Sequence, residues 1–224
     1  MSIPDTITND FDRVAELQSR RWNHNNHYHK LLLRNIQGGC NDSLEIGCGS
    51  GEFCRQLARN SIRVIGIDSS SRMLERAEKA SHAPNINYVN MDVADCRFDD
   101  NSFDCIVSIA TMHHLPYEAT LRKMKRWLRC GGTILILDLY RSETVVDHLY
   151  SLVAWPMNVL MSLAKNKRIG QTPAEAKLWK EHSKSDRFMT IAEIRSLAEE
   201  ILPGASIERR LFWRYSLVWH KKEA

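Results

Sequence analysis

Five short β-rich runs recur along this chain, at residues 43–47, 62–67, 86–90, 103–109 and 132–138, with helical patterns at 51–60, 70–80 and 118–129 between them. This alternation constrains the fold more than any other feature. Strands joined through helix-length crossovers pair in parallel and are covered by helices on both faces. The tail breaks the pattern. A helix at Thr190–Leu202, stopped by Pro203-Gly204, precedes two adjacent β-rich runs, Ser206–Trp213 and Tyr215–His220, whose short separation predicts an antiparallel hairpin. Ahead of the first strand, apolar residues at helical spacing predict helices over Phe11–Trp22 and His27–Ile36, the second ending at Gly38-Gly39. At 224 residues the chain has the length of one domain with a sizeable core.

Where the first run gives way to a helical pattern stands Leu44-Glu45-Ile46-Gly47-Cys48-Gly49-Ser50-Gly51. Alternating glycines permit backbone angles closed to other residues and let a ligand approach the main chain with no Cβ in the way. The second run, Ile62–Ile67, ends in Asp68, a position suited to gripping a ribose diol. A nicotinamide site uses G-x-G-x-x-G to aim a helix N-terminus at a pyrophosphate, whereas this chain has G-x-G-x-G. Alone, the loop also reads as an ordinary strand-to-helix turn.

Glu45 ahead of Gly47, Gly49 and Gly51, with Asp68 on the next strand and Asp92 after the third, resembles the first motifs of the class I S-adenosylmethionine-dependent methyltransferases, in particular the type 11 group that acts on small molecules. The resemblance covers residues 40–139 by motif and 190–220 by element order. It implies an α/β fold, a three-layer, doubly wound, Rossmann-like sheet of seven strands, mostly parallel with an antiparallel C-terminal strand. A single domain, 1–224, would then comprise an N-terminal helical cap (1–38), a cofactor-binding core (40–139), a helical insertion or lid (140–189) and a C-terminal helix with hairpin (190–224).

The resemblance also implies S-adenosylmethionine as cofactor, leaving S-adenosylhomocysteine as product. Its ligands would be Glu45, Gly47, Cys48, Gly49, Gly51, Asp68, Ser69, Met73, Asp92, Val93 and Ala110. In that set the loop wraps the methionine part and Glu45 lies near its amino end. Asp68 accepts from both ribose hydroxyls, Ser69 and Met73 border the adenine, and Asp92 meets its amino group. From the residues themselves, Met73 also suits a core position, and Asp92 a helix cap or turn.

The fourth run leads into Ala110-Thr111-Met112-His113-His114-Leu115-Pro116, beyond the carboxyl end of a strand, where ligands gather in open α/β sheets. His113 and His114 are therefore candidate general bases for the methyl acceptor, since imidazole titrates near neutral pH. Equally, a His-His-Leu run can shape the pocket and pack the next helix. Tyr28 is a third candidate, from the polar cluster Trp22–His29 that joins the two N-terminal helices. His24 and His29 could reach the same site, and a junction rich in capping groups is the alternative. No metal is expected, because no carboxylate or cysteine completes a set with the histidines of that junction. The cysteines at 40, 48, 54, 96, 105 and 130 form no C-x-x-C pair. They read as reduced, mostly buried residues of a cytoplasmic protein without a signal peptide.

Absences narrow the acceptor. Lys and Arg exceed Asp and Glu only by 31 to 27, a weak basic excess for a nucleic-acid partner. No Asn-Pro-Pro-Tyr, Asp-Pro-Pro-Tyr or Pro-Cys follows the fourth run. A small, apolar methyl acceptor is the expectation, with RNA or protein methylation, or a non-catalytic regulatory protein on the same fold, as alternatives. Between Tyr140 and Met189 lies an insertion that the core fold does not need. Its apolar first half, 144–163, reads as a lid or pocket wall, as a dimer contact, or, over 144–168 with Lys165, Lys167 and Arg168, as a membrane-surface helix. Pro156 is expected to end or kink a helix there. No run approaches the roughly 18 apolar residues of a membrane span. The chain reads as a monomer or homodimer.

Overall fold

The computed structural model describes residues 12–13, 22–36, 38–80, 83–167, 176, 180 and 186–223. The helix expected over Phe11–Trp22 lies almost wholly outside the described residues, as does Arg168. Seven strands form one sheet: β1 (Cys40–Ile46), β2 (Ser61–Asp68), β3 (Ile86–Asn90), β4 (Phe103–Ile109), β5 (Leu128–Leu139), β6 (Ser206–Arg210) and β7 (Arg214–His220). Their spatial order is β3-β2-β1-β4-β5-β7-β6. The first five pair in parallel, and β7 runs antiparallel to both β5 and β6. This is the doubly wound sheet with a reversed C-terminal strand that the element order implies.

Helices α1 (His29–Arg34), α2 (Cys54–Leu57), α3 (Ser71–Ala80), α4 (Tyr117–Trp127), α5 (Val145–Met161) and α6 (Ile191–Ile201) supply the outer layers. Alternate strand residues point to opposite faces. Leu44, Ile46, Ile106, Ile134 and Ile136 therefore meet Leu121, Met124 and Trp127 of α4 and Ile194 and Ala198 of α6. On the other face Cys105, Val107, Leu135 and Leu137 pack with Leu32 of α1, Leu57 of α2, Leu74 of α3 and Ala154 of α5. Trp127 is fully buried, edge-on to Phe98 at 5.1 Å. Truncating such a side chain costs about 3–5 kcal/mol.

Four boundaries differ from expectation for identifiable reasons. The helix expected at 51–60 contracts to α2, because Gln56, Arg59 and Asn60 donate to carbonyls three residues back and tighten both ends. The helix expected from His27 begins as a 3₁₀ turn, Asn26–Tyr28, capped by the Asn23 side chain, which accepts from the Asn25 and Asn26 amides. β5 starts at Leu128 rather than 132, joining β4 through a register shift between Phe103 and Cys105. Pro156 does not end α5. It is exposed, so water can meet the Leu152 carbonyl that loses its amide partner.

The hairpin carries strain. The run expected to Trp213 stops at Arg210, and Phe212 and Trp213 turn the chain with φ of 61° and 58°. Left-handed residues help a tight hairpin loop reverse the chain, here over the three residues 211–213 between the paired Arg210 and Arg214, but side chains with a Cβ resist them by about 1–2 kcal/mol each. Packing holds them. Phe212 is fully buried, stacked on His24 at 4.8 Å and edge-on to Trp22 at 5.6 Å.

Candidate cofactor and acceptor site

The strand order reverses between β1 and β4, so a crevice opens beyond their carboxyl ends. The glycine loop leaves β1 at its rim. Gly47 and Cys48 both donate to the Ile67 carbonyl, at 2.8 and 3.0 Å, folding the loop back over β2. Gly47, Gly49 and Gly51 adopt φ of 72°, 50° and 69°. A Cβ at Gly47 would stand 2.2 Å from Thr111 Oγ1, and one at Gly51 2.2 Å from the Tyr88 hydroxyl. At Gly49 a Cβ would meet nothing within 4 Å. Two glycines are required by their neighbours, and the third leaves open space against the main chain.

Asp68, at the tip of β2, is bound into the same unit. Its Oδ2 accepts from the Gly49 amide at 2.7 Å and its Oδ1 from the Ser70 amide at 2.9 Å. Burial raises its carboxyl above the usual range, against the pull of these two donors. Each carboxylate oxygen has a second lone pair for a hydroxyl. Ser70 Oγ in turn donates to Asp12 Oδ1 at 2.5 Å, which brings Asp12 to this corner.

Glu45 sits between Gly66 and Val107 in the sheet register and is 3% exposed. Burial pushes its carboxyl up to about 8, although hydrogen bonds from Cys54 oppose this. Its Oε2 is buried without a hydrogen-bond partner. An orphaned acceptor beside the loop, together with the open space at Gly49, fits a cofactor that carries an ammonium and a ribose.

The Asn90 side chain donates to the carbonyls of Asp68 and Ser69, both at 3.0 Å. Met73 is buried on α3. Asp92 Oδ1 accepts from the Ala94 amide at 2.8 Å, forming a turn with the buried Val93 inside it. Ala110 adopts φ 51° where β4 ends, a left-handed strain of the kind that collects at functional sites.

At the far end of the crevice His113 and His114 share the 3₁₀ turn Met112–His114, their rings 3.8 Å apart. Asp138, at the end of β5 and almost fully buried, accepts from the His113 amide at 2.9 Å and meets His113 Nδ1 at 2.6 Å. This leaves Nε2 as the ring nitrogen available to a ligand. His114 Nδ1 stands 3.4 Å from Asp186 Oδ1, and ligand atoms of His113, His114 and Asp186 lie within 4.8 Å of one another. No metal was expected from the sequence, where Asp186 is remote. With Asp138 holding His113, the cluster forms two histidine–carboxylate pairs.

The third catalytic candidate is engaged elsewhere. The Tyr28 hydroxyl donates to the Leu211 carbonyl at 3.1 Å, within the cluster around Phe212. His24 Nε2 meets Asn158 Oδ1 at 2.8 Å, and His29, whose pKa burial lowers to about 4, meets Gln56. Thr111, Tyr88, Asn90 and Asp138 were not singled out by the sequence. Asp138 carried a usable signal, since it closes β5 as Asp68 closes β2.

Residues 44–136 match the family model of the methyltransferase domain. These residues form a methyltransferase domain. An uncharacterized methyltransferase of Mycobacterium bovis is 29% identical over 203 residues, covering 88% of this methyltransferase and 96% of its own chain. A demethylmenaquinone methyltransferase of Staphylococcus saprophyticus is 29% identical over 147 residues, 62% of each chain. The crystal structure of the N-methyltransferase NodS from Bradyrhizobium japonicum, in complex with S-adenosylhomocysteine, has the same fold. It aligns with a TM-score of 0.62 at 16% identity over 96% of this methyltransferase and 100% of its own chain.

Proposed function

We propose that this methyltransferase moves the methyl group of S-adenosylmethionine to a small, apolar acceptor, with positioning rather than covalent chemistry dominant. When bound, the cofactor supplies a methyl group on a positively charged sulfur, lost by in-line displacement without a protein nucleophile. The observation that carries this reading is the unit of Gly49 and Asp68, open space and a half-buried carboxylate joined by a 2.7 Å hydrogen bond. Asp68 would accept from the ribose hydroxyls and Glu45 would receive the amino end. Gly47, Cys48 and Gly51 shape the loop, while Ser69, Met73, Asp92 and Val93 border the adenine and Ala110 closes the crevice at β4. Well-aligned reactants gain about 7–11 kcal/mol from such positioning.

At the acceptor end, Asp138 fixes the tautomer and angle of His113, so that Nε2 is presented to the proton an acceptor must lose. His114, with Asp186, borders the same space, whereas Tyr28, bonded to the Leu211 carbonyl, takes no part in the proposed chemistry. The demethylmenaquinone methyltransferase among the relatives supports an apolar acceptor. The test supplies cofactor labelled in its methyl group together with a panel of phenols and hydroquinones. Label in an extractable small product is expected. Label confined to RNA or protein would reassign the acceptor, and cofactor binding without transfer to any class would make the protein non-catalytic.

A further inference from the structure

Helix α5 is amphipathic in the inverted sense. Its polar side faces protein: Asp147 Oδ1 is 2.6 Å from Arg209 Nε, Ser151 Oγ accepts from Trp213 Nε1 at 3.2 Å, and Asn158 Oδ1 meets His24 Nε2 at 2.8 Å. Ala154, among them, is 1% exposed. At 3.6 residues per turn these four positions span an arc of about 60°. From the opposite side project Val145, Leu149, Leu152, Leu160 and Leu163, between 45% and 76% exposed, with Trp155 on the flank at 67%. A helix on a globular protein normally buries its apolar stripe, and a continuous exposed one marks an interaction surface.

We propose that this face lies on the surface of an anionic lipid bilayer, with α5 parallel to the membrane plane. Charge selects this occupant. Between Val145 and Lys167 the only acid is Asp147, which is 2% exposed and held by Arg209, whereas Lys165 and Lys167 are exposed just beyond the helix. An apolar face with a flanking Trp and a basic end is the composition of an interfacial helix. Anionic headgroups satisfy the two lysines, which a second copy of a helix without an exposed acid does not. Among the described residues no helix is long and apolar enough to cross a membrane, so the contact is one of lying on the surface. The inference stands on the helix alone and does not depend on the methyl acceptor.

Co-sedimentation of the full chain with vesicles tests it, using phosphatidylcholine alone and an equal mixture of phosphatidylcholine and phosphatidylglycerol. The wild type is expected to sediment with the mixed vesicles, and Leu149→Glu/Leu152→Glu to lower that partition by about tenfold or more. Lys165→Gln/Lys167→Gln should remove the preference for the anionic mixture, as should high salt. Because the replaced side chains are exposed, circular dichroism and thermal unfolding should match the wild type, and Leu152→Ala/Leu160→Ala provides a milder variant with the same direction of effect. The proposal is overturned if the wild type binds neither vesicle, or if the glutamate variant binds as well as the wild type. It is equally overturned by a concentration-dependent dimer, in place of vesicle binding, that the glutamate variant abolishes.

Discussion

Replacing Glu45 by Gln removes one titrating proton from the middle of the sheet and keeps the shape of the side chain. The carboxyl is 3% exposed, and burial moves its pKa from 4.5 in the unfolded chain to about 8 in the folded one. Between those values the folded protein retains a proton that the unfolded chain has released. Wild-type stability therefore falls as pH rises through this window and levels off above it. At about 1.4 kcal/mol per pH unit, and allowing for relaxation of the buried site, the loss by pH 8.5 is about 2–4 kcal/mol. The glutamine variant carries no such loss. Urea unfolding of the two proteins without cofactor should give similar stabilities at pH 5, and at pH 8.5 the variant should be more stable by that amount. Other titrating groups cancel in the difference. The same variant should bind S-adenosylhomocysteine more weakly, since glutamine, unlike Glu45, cannot release a proton on binding to pair a carboxylate with the ligand's ammonium. Parallel stability curves from pH 5 to 8.5 would refute the claim that burial holds Glu45 protonated.

The two roles of the loop glycines separate by mutation. Gly49→Ala should cost about 1–2 kcal/mol of stability, from its φ of 50° with no clash, while weakening S-adenosylhomocysteine binding more than about tenfold in calorimetry. Gly47→Ala adds the overlap with Thr111 and should cost about 2–4 kcal/mol in urea unfolding; equal losses at the two positions would contradict the assignment of space. His113→Ala and His114→Ala should slow methyl transfer more than they weaken cofactor binding, and normal turnover in both would leave them as packing residues. Phe212→Ala should lose about 3 kcal/mol or more in urea unfolding despite its left-handed backbone. An unchanged midpoint would show that the cluster with His24 and Trp22 does not hold the hairpin.

Much of the core was legible because its signals are local. The boundaries of β3 and β4 follow directly from continuous β-rich runs, and the loop after β1 follows from glycine spacing. The reversal of β7 was visible in the short separation between the runs 206–213 and 215–220, although β6 stops earlier, at Arg210. What was hidden is non-local. Asp138 and Asp186 reach the histidine turn only after the sheet is assembled, so neither carboxylate could be attached to His113 or His114 from spacing. The direction of α5 was hidden as well. Its apolar periodicity suits a buried lid, and only Arg209, Trp213 and His24, from distant segments, turn its polar side inward. The turn at Phe212 violates the local preference for Gly or Asn at left-handed positions, and tertiary packing overrides that preference.

The central claim is that Asp68 and the glycine loop form an S-adenosylmethionine site, and calorimetric titration of the wild type and Asp68→Ala tests it most directly. S-adenosylmethionine, S-adenosylhomocysteine and, as control, NADH are titrated into each. Micromolar binding of the first two alone, weakened by about tenfold or more (about 1.4 kcal/mol) in Asp68→Ala, is the predicted result. Binding of NADH without either sulfur ligand, or an Asp68→Ala variant with wild-type affinity, would contradict it.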